Sequence, residues 1–268
     1  NLKPRPEIIL SMDAAVLGLG NSSCGTGSEV TNISVMNRVS KGVKMGLASD
    51  AMLADKAVLI TNLLDSMPYQ VFATSSIDAM VHSAESFLSP NGCSISRLFS
   101  SEALKLILTC WDKVVKEGGE EAWKRYAAEF LEASNWAGLG FGYAGCAAVH
   151  ACAYPLGSVY HIPHGQSNQL MFQDVMKMYK KLCPDGRINE LEALIAESLH
   201  VTPDTSLETL YALMDKVLKK APLKEFGVRE SDLAQFAKDV IQTQQRLLRN
   251  NYVELTEEQI LEIYRAAF

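Results

Sequence analysis

"GLGFGYAGCAAVHACAYPLG", residues 138–157, is almost uncharged, and two structures compete for it: a membrane span, or a helix buried inside a globular body. Its hydrophobicity comes mostly from Ala and Gly, and a histidine, a tyrosine and a proline interrupt it, whereas a span needs about twenty consecutive apolar residues. The stretch therefore reads as a buried helix of small residues, with Gly138-x-x-x-Gly142 letting other backbones approach closely. In this reading His150 ends the helix, "YPLG" (154–157) supplies a turn, and "IPHG" (162–165) follows. Pro163 restricts and Gly165 frees the backbone around His164, so the break can bring His164 back toward His150.

Outward from that stretch the chain shows two regimes. Up to about Met67 it is strand-like and turn-rich: "EIIL" (7–10), a Gly-rich turn, "VTNISVMNRV" (30–39), "KMGLAS" (44–49) and "KAVLI" (56–60). From Pro68 onward helical periodicity takes over. Leu207, Leu210, Tyr211, Met214, Val217 and Leu218 share one helical face, as do Leu233, Phe236, Ala237, Val240, Ile241, Leu247 and Leu248. Thr205 with Glu208 and Thr256 with Gln259 each form a capping-box pattern. The expected fold is mainly α: a short α/β piece over residues 1–66, then an all-helical domain over 67–268.

Lys plus Arg number 25 and Asp plus Glu 31, a formal charge of −6, which argues against a nucleic-acid or anionic-membrane surface. A small anionic ligand stays open through a local basic site. The amino terminus shows no signal-peptide core and no anchor motif, so a cytoplasmic protein is expected. Six cysteines at 24, 93, 110, 146, 152 and 183 form no CxxC pair, which suits reduced, buried thiols.

Within "SSIDAMVHSAESFLS" (75–89), Asp78 and His82 stand four residues apart and project from one helical face, so carboxylate and imidazole can converge on one ion. Alone, such a pair is more often solvated or hydrogen-bonded in a core. Joined by His150 and His164 it becomes three imidazoles and one carboxylate, a mixed N/O set suited to Fe(II) or Zn(II) and poor for Mg(II) or Ca(II).

"CGTGSEVTN" (24–32), "SSIDAMVHSAESFLSP" (75–90), "AVHACAYPLGSVYHIPHG" (148–165) and "QQRLLRNNY" (244–252), in this order and spacing, resemble the iron-dependent (group III) alcohol dehydrogenases. Among these the chain is most similar to NAD-dependent 4-hydroxybutyrate dehydrogenases, through Tyr154, "YHIPHG" and the "QQRLLRNNY" tail. The resemblance runs from about Cys24 to the carboxyl terminus. It implies the dehydroquinate synthase-like fold, in which residues 1–66 are the remnant of a cofactor domain and 67–268 a helical metal-binding domain. It makes Asp78, His82, His150 and His164 ligands of Fe(II), or of Zn(II) in its place. Many relatives carry a further histidine where Tyr154 stands, so Tyr154 and His161 become candidates for proton relay or orientation; a packed tyrosine and a histidine supporting a ligand are equally compatible roles.

The Gly-rich stretch "GLGNSSCGTGSEV" (18–30) does not fit GxGxxG and by pattern is an ordinary loop. The resemblance instead assigns NAD contacts to Ser22, Ser23, Gly25, Thr26 and Lys44. Tyr143 stands where relatives have asparagine and Gln166 where the subfamily has glutamate. The Gly-Gly-Gly-Ser loop of the family's nucleotide-binding domain is absent from the 268 residues, so weak or no NAD-dependent turnover is expected of this chain alone. The activity the resemblance implies is NAD-linked interconversion of a primary alcohol and an aldehyde, 4-hydroxybutyrate and succinic semialdehyde. A small alcohol or hydroxy acid is then the partner molecule and a homodimer the assembly common in the family. For such a substrate Arg246 is the candidate to hold the distal carboxylate.

Two other classes stay open. One is a non-catalytic metal-binding or interaction module that keeps the helical half. The other is a metal-dependent hydrolase using bound water, for which Glu29 and Glu85 offer carboxylates with equally good structural roles. His200 lies outside every motif and reads as a surface histidine.

Overall fold

The computed structural model describes residues 18–20, 23–38 and 43–268; "EIIL" lies outside them. Among the described residues four short strands come first: β1 (Gly18–Gly20), β2 (Ile33–Arg38), β3 (Val43–Ala48) and β4 (Lys56–Val58). β1 pairs in parallel with β4, Leu19 opposite Ala57; β2 and β3 form an antiparallel hairpin with Val35 opposite Gly46. The β-branched and aliphatic side chains of "ISVMNR" and the Gly46 site suit a pleated pair.

Helices follow: α1 (Tyr69–Leu88), α2 (Ser94–Lys116), α3 (Ala127–Ala144), α4 (Ala148–Val159), α5 (His164–Leu182), α6 (Arg187–Leu199), α7 (Pro203–Val217), α8 (Glu230–Thr243), α9 (Gln245–Leu248) and α10 (Glu257–Ala267). α1 starts directly after Pro68 and stops at Ser89, which the following Pro90 keeps extended with ψ 133°. It is the axial element, packed by α2, α3, α5 and α6. Every residue from Ser76 to Leu88 is buried, polar ones included. The serines are satisfied within the bundle: Trp111 Nε1 donates to Ser76 Oγ at 3.0 Å, and Ser86 Oγ meets Ser100 Oγ at 2.7 Å.

The 138–157 stretch is mostly buried, with Gly142 and Tyr143 exposed, and it is two helices. The chain breaks at Gly145, whose φ of 80° an L residue rarely adopts, and α4 then runs through "YPLG" with Pro155 inside it. His150 therefore sits near the start of its helix. Pro155 forgoes one backbone bond, and the packing around buried Leu156 and Tyr154 outweighs the loss. The turn toward His164 comes at Tyr160–Pro163, where His161 has φ 56°. Gly138 packs as a close-approach site: a Cβ there would lie 2.7 Å from the Gly27 carbonyl oxygen, so the 23–31 loop sits directly on α3.

Thr256 and Gln259 cap α10 reciprocally, as their spacing predicts. Thr205 does not cap α7, which begins two residues earlier at Pro203 with Thr202 before it; proline at the first helical position fixes the start. Leu247 and Leu248 fall in the separate α9, beyond the end of α8. No helix among the described residues is long and apolar enough to cross a membrane.

Candidate metal centre

α1 presents Asp78 and His82 one turn apart, both nearly fully buried. α4 supplies His150, and the first residue of α5 is His164. Gly165 makes that last approach feasible: a Cβ there would lie 1.9 Å from the Thr74 carbonyl oxygen, so only glycine lets the start of α5 touch α1 just before Asp78. The result is convergence on one atom. Asp78 Oδ1 lies 3.8 Å from His82 Nε2, 3.4 Å from His150 Nε2 and 3.5 Å from His164 Nε2. One ligand atom from each of Asp78, His150 and His164 falls within 4.8 Å of the others.

The surroundings hold these side chains in place. The Glu85 carboxylate, one turn beyond His82 and fully buried, accepts from His150 Nδ1 at 2.6 Å, from the Ala147 N–H at 2.9 Å and from the Val149 N–H at 2.6 Å. It thus caps the amino end of α4 and fixes the His150 ring with Nε2 toward Asp78. A carboxylate so engaged is not a free base, which removes the support Glu85 could give a hydrolase. Asn168, one turn after His164, donates from Nδ2 to Asp78 Oδ1 at 2.7 Å. Phe141 stacks on His82 with ring centroids 4.0 Å apart, and His82 stacks on His150 at 4.6 Å.

Burial would raise the Asp78 pKa, but the facing charges of His82 and His164 and the His150 bond outweigh it and hold the carboxyl below the usual range. Burial lowers His82 to about 3 against the pull of Asp78. Burial also works against charge on His150, yet Glu85 and Asp78 raise it to about 9. Two carboxylates buried beside three imidazoles would be costly without a compensating cation. This donor set fits a divalent ion of intermediate hardness, iron or zinc among them.

Of the other sequence candidates, Tyr154 is buried with its ring 6.0 Å from that of His164, and burial pushes its phenol up, so it keeps its proton. His161 is exposed in the turn, and no hydrogen bond or ring contact among the described residues joins it to the cluster. Gly25 is buried against Ser75, Ser23 is half-buried, and exposed Thr26 bonds to Ser28 at 2.7 Å. Ser22 lies outside the described residues, and of Lys44 only the backbone in β3 is described. His200 is exposed and ends α6 in the left-handed conformation.

Arg246 lines a cavity of about 450 Å³ together with Phe141, Tyr143, Asn91, Arg249 and Asn250. Phe141 separates this cavity from His82, so the two are one ring apart. Burial first, then the Glu85 and Asp78 charges, push the Cys146 thiol up, while the Arg246 charge opposes them. Sequence reading missed Arg249 in this role, although its i+3 spacing from Arg246 puts both on one face. The positioning by Glu85 and Asn168 carried no local signal, since Glu85 and His150 are 65 residues apart.

The chain belongs to the Fe-containing alcohol dehydrogenase family: residues 72–268 match the model of that family's C-terminal region. A 4-hydroxybutyrate dehydrogenase of Clostridium kluyveri is 40% identical over 251 residues, covering 92% of this chain and 66% of that protein. A long-chain-alcohol dehydrogenase 1 of Geobacillus thermodenitrificans is 36% identical, over 92% of this chain and 62% of its own length. The chain thus spans just under two thirds of these curated relatives. Among solved structures, the sulfoacetaldehyde reductase of Bifidobacterium kashiwanohense in complex with NAD+ is similar with a TM-score of 0.80 and 25% identity, over 92% of this chain and 63% of that one.

Proposed function

We propose that this protein is a metal-dependent, NAD-linked alcohol dehydrogenase that interconverts 4-hydroxybutyrate and succinic semialdehyde. The observation that carries the reading is the convergence of three histidine Nε2 atoms on Asp78 Oδ1, with a two-arginine cavity one aromatic ring away. Similarity to the Clostridium kluyveri enzyme supports the choice of substrate. In this reading residues 67–268 are the metal-holding domain and 1–66 a cofactor-binding segment.

Asp78, His82, His150 and His164 hold Fe(II), with Zn(II) the alternative. A bound ion would supply Lewis-acid polarisation of the substrate oxygen, and bound NAD would supply the hydride chemistry. Glu85 keeps His150 in the tautomer that leaves Nε2 free. Arg246 holds the distal carboxylate by a charge-assisted bond, and Arg249, on the same face, adds to the attraction. Buried Phe141 and exposed Tyr143 line the cavity beside Arg246. Tyr154, protonated and beside His164, is the group placed to hold or pass a proton at its phenolic oxygen, a role His161 has less geometry for. Ser23, Gly25 and Thr26 orient the cofactor from the loop that rests on α3, with Ser22 and Lys44 as further contacts.

The test loads the protein anaerobically with Fe(II) and follows NAD reduction with 4-hydroxybutyrate and with 1-butanol, for the native chain and Arg246→Ala. The variant is expected to lose about 10- to 100-fold in kcat/KM on 4-hydroxybutyrate alone, the worth of one charge-assisted hydrogen bond. Equal losses on both alcohols would remove Arg246 from carboxylate recognition. An ion retained without any NAD binding would leave only a non-catalytic metal-binding module.

A further inference from the structure

The turn between α3 and α4 places a thiol against the histidines. One ring nitrogen each from His82 and His150 and the Sγ of Cys146 all lie within 4.8 Å of one another. All three residues are buried, at 5%, 2% and 8% exposure. The backbone around Cys146 is anchored on both sides: Asn250 Nδ2 donates to its carbonyl at 2.8 Å, and the next N–H, of Ala147, is held by Glu85 at 2.9 Å.

We propose that His82, Cys146 and His150 form a second, thiolate-containing metal site that takes a soft divalent cation of the zinc or cadmium type. His150 Nδ1 is committed to Glu85, so Nε2 is the donor His150 offers both to this triad and to the Asp78–His164 side. One nitrogen cannot serve two ions, and the two modes therefore exclude each other. Ligand chemistry biases the metals: the Asp78–His150–His164 side offers oxygen and nitrogen, which both Fe(II) and Zn(II) accept, while the Cys146 side adds a sulfur that draws zinc more than Fe(II). On binding, the S–H bond is replaced by a sulfur–metal bond and the proton leaves to solvent. No local motif announces the site, because its cysteine and its first histidine are 64 positions apart.

The proposal shares His82 and His150 with the ion site of the proposed dehydrogenase, and it is tested without that activity. Zinc K-edge X-ray absorption is measured on the zinc-loaded native chain, on Cys146→Ser and on His164→Ala, with zinc stoichiometry and circular dichroism recorded for each. The native chain and His164→Ala are expected to show one sulfur at about 2.3 Å from zinc. Cys146→Ser is expected to show none and to bind zinc at least about tenfold more weakly, with Fe(II) affinity changed less than about threefold. A zinc shell without sulfur in the native chain, or with sulfur persisting in Cys146→Ser, overturns the proposal. Should the serine variant fail to fold, Cys146→Ala replaces it, and the native spectrum alone still decides. An iron-loaded chain inactive on 4-hydroxybutyrate would leave this result standing, and the reverse also holds.

Discussion

The helical body and the β-rich segment before it distribute polarity in opposite ways. Around α1 the interior holds Asp78, His82, Glu85, Ser86 and Asn168, all within a few per cent of complete burial. Over residues 33–63 the surface instead carries Val35, Met36, Leu47, Leu53, Val58, Leu59 and Ile60, each more than a third exposed. A bundle built for stability alone would fill its axis with Leu and Ile. One that accepts two buried carboxylates and two buried histidines is organised around what those groups hold, and it must over-determine their positions by packing and hydrogen bonds. The β-rich segment shows no such investment, and its apolar outer face is of the kind that meets other protein.

The largest expected break in this contrast is Gly165→Ala. The added Cβ would sit 1.9 Å from the Thr74 carbonyl oxygen, against backbone that cannot swing aside. α5 must move away from α1, carrying His164 with it. The expected loss is about 3 kcal/mol of unfolding free energy, the upper end of overpacking costs, together with failure to retain iron. Denaturant titration and elemental analysis check the two halves, and an unchanged midpoint would mean that α5 does not rest on α1 as described.

Next comes Glu85→Gln, which keeps shape but removes charge. The amide has only one acceptor oxygen, so either the Val149 N–H loses its acceptor, or the Ala147 N–H and His150 Nδ1 both do. Iron affinity is expected to fall about 10- to 100-fold, measured by chelator competition. Equal affinity in the variant would show that α4 alone fixes the His150 ring.

What the sequence disclosed and what it hid divide along the same line as these two substitutions. The i, i+4 spacing of Asp78 and His82, the start of α1 after Pro68 and the Thr256–Gln259 cap are local, and each stands in the chain as read. The break at Gly145 in place of "YPLG" was hidden because Pro155, a local breaker, is tolerated where tertiary packing holds α4 together. Glu85 was visible as a residue but not as the cap of a helix 62 positions later, and Asn168 carried no motif at all. Chemistry that depends on one helix can be read from spacing; chemistry that depends on how two helices meet cannot.

Acid and base act on the buried cluster more gently, at about 1.4 kcal/mol per pH unit for each group that titrates differently on folding. His150 is raised to about 9 from its ordinary 6.5, so its contribution is complete below pH 6.5 and is lost as pH climbs toward 9. His82 is lowered to about 3, so the folded state refuses a proton the unfolded chain accepts, and stability falls as pH drops from 6.5 toward 3. Asp78, held below its ordinary 3.8, adds to the loss only under strongly acid conditions. The metal-free protein is therefore expected to be most stable near pH 6.5, with a decline on both sides. Urea midpoints across that range check this, and a profile rising steadily to pH 9 would show that His150 is neutral in the fold.

The smallest effect is expected at the exposed face, and it sharpens the comparison most. Leu59→Ser and Ile60→Ser each remove an aliphatic side chain that is about two fifths exposed, and each is expected to change stability by no more than about 0.5 kcal/mol. Leu88→Ala, where the side chain is 1% exposed at the end of α1, is expected to cost about 2–5 kcal/mol. The ratio separates surface from core only if Leu59 and Ile60 are bare in solution. Measuring the urea midpoints at two protein concentrations decides this, because a face covered by a second copy would make the serine variants costly and their midpoints concentration-dependent. A loss near that of Leu88→Ala would place these residues in an interior, and the polar axis of the bundle would then be the exception in a molecule otherwise packed in the ordinary way.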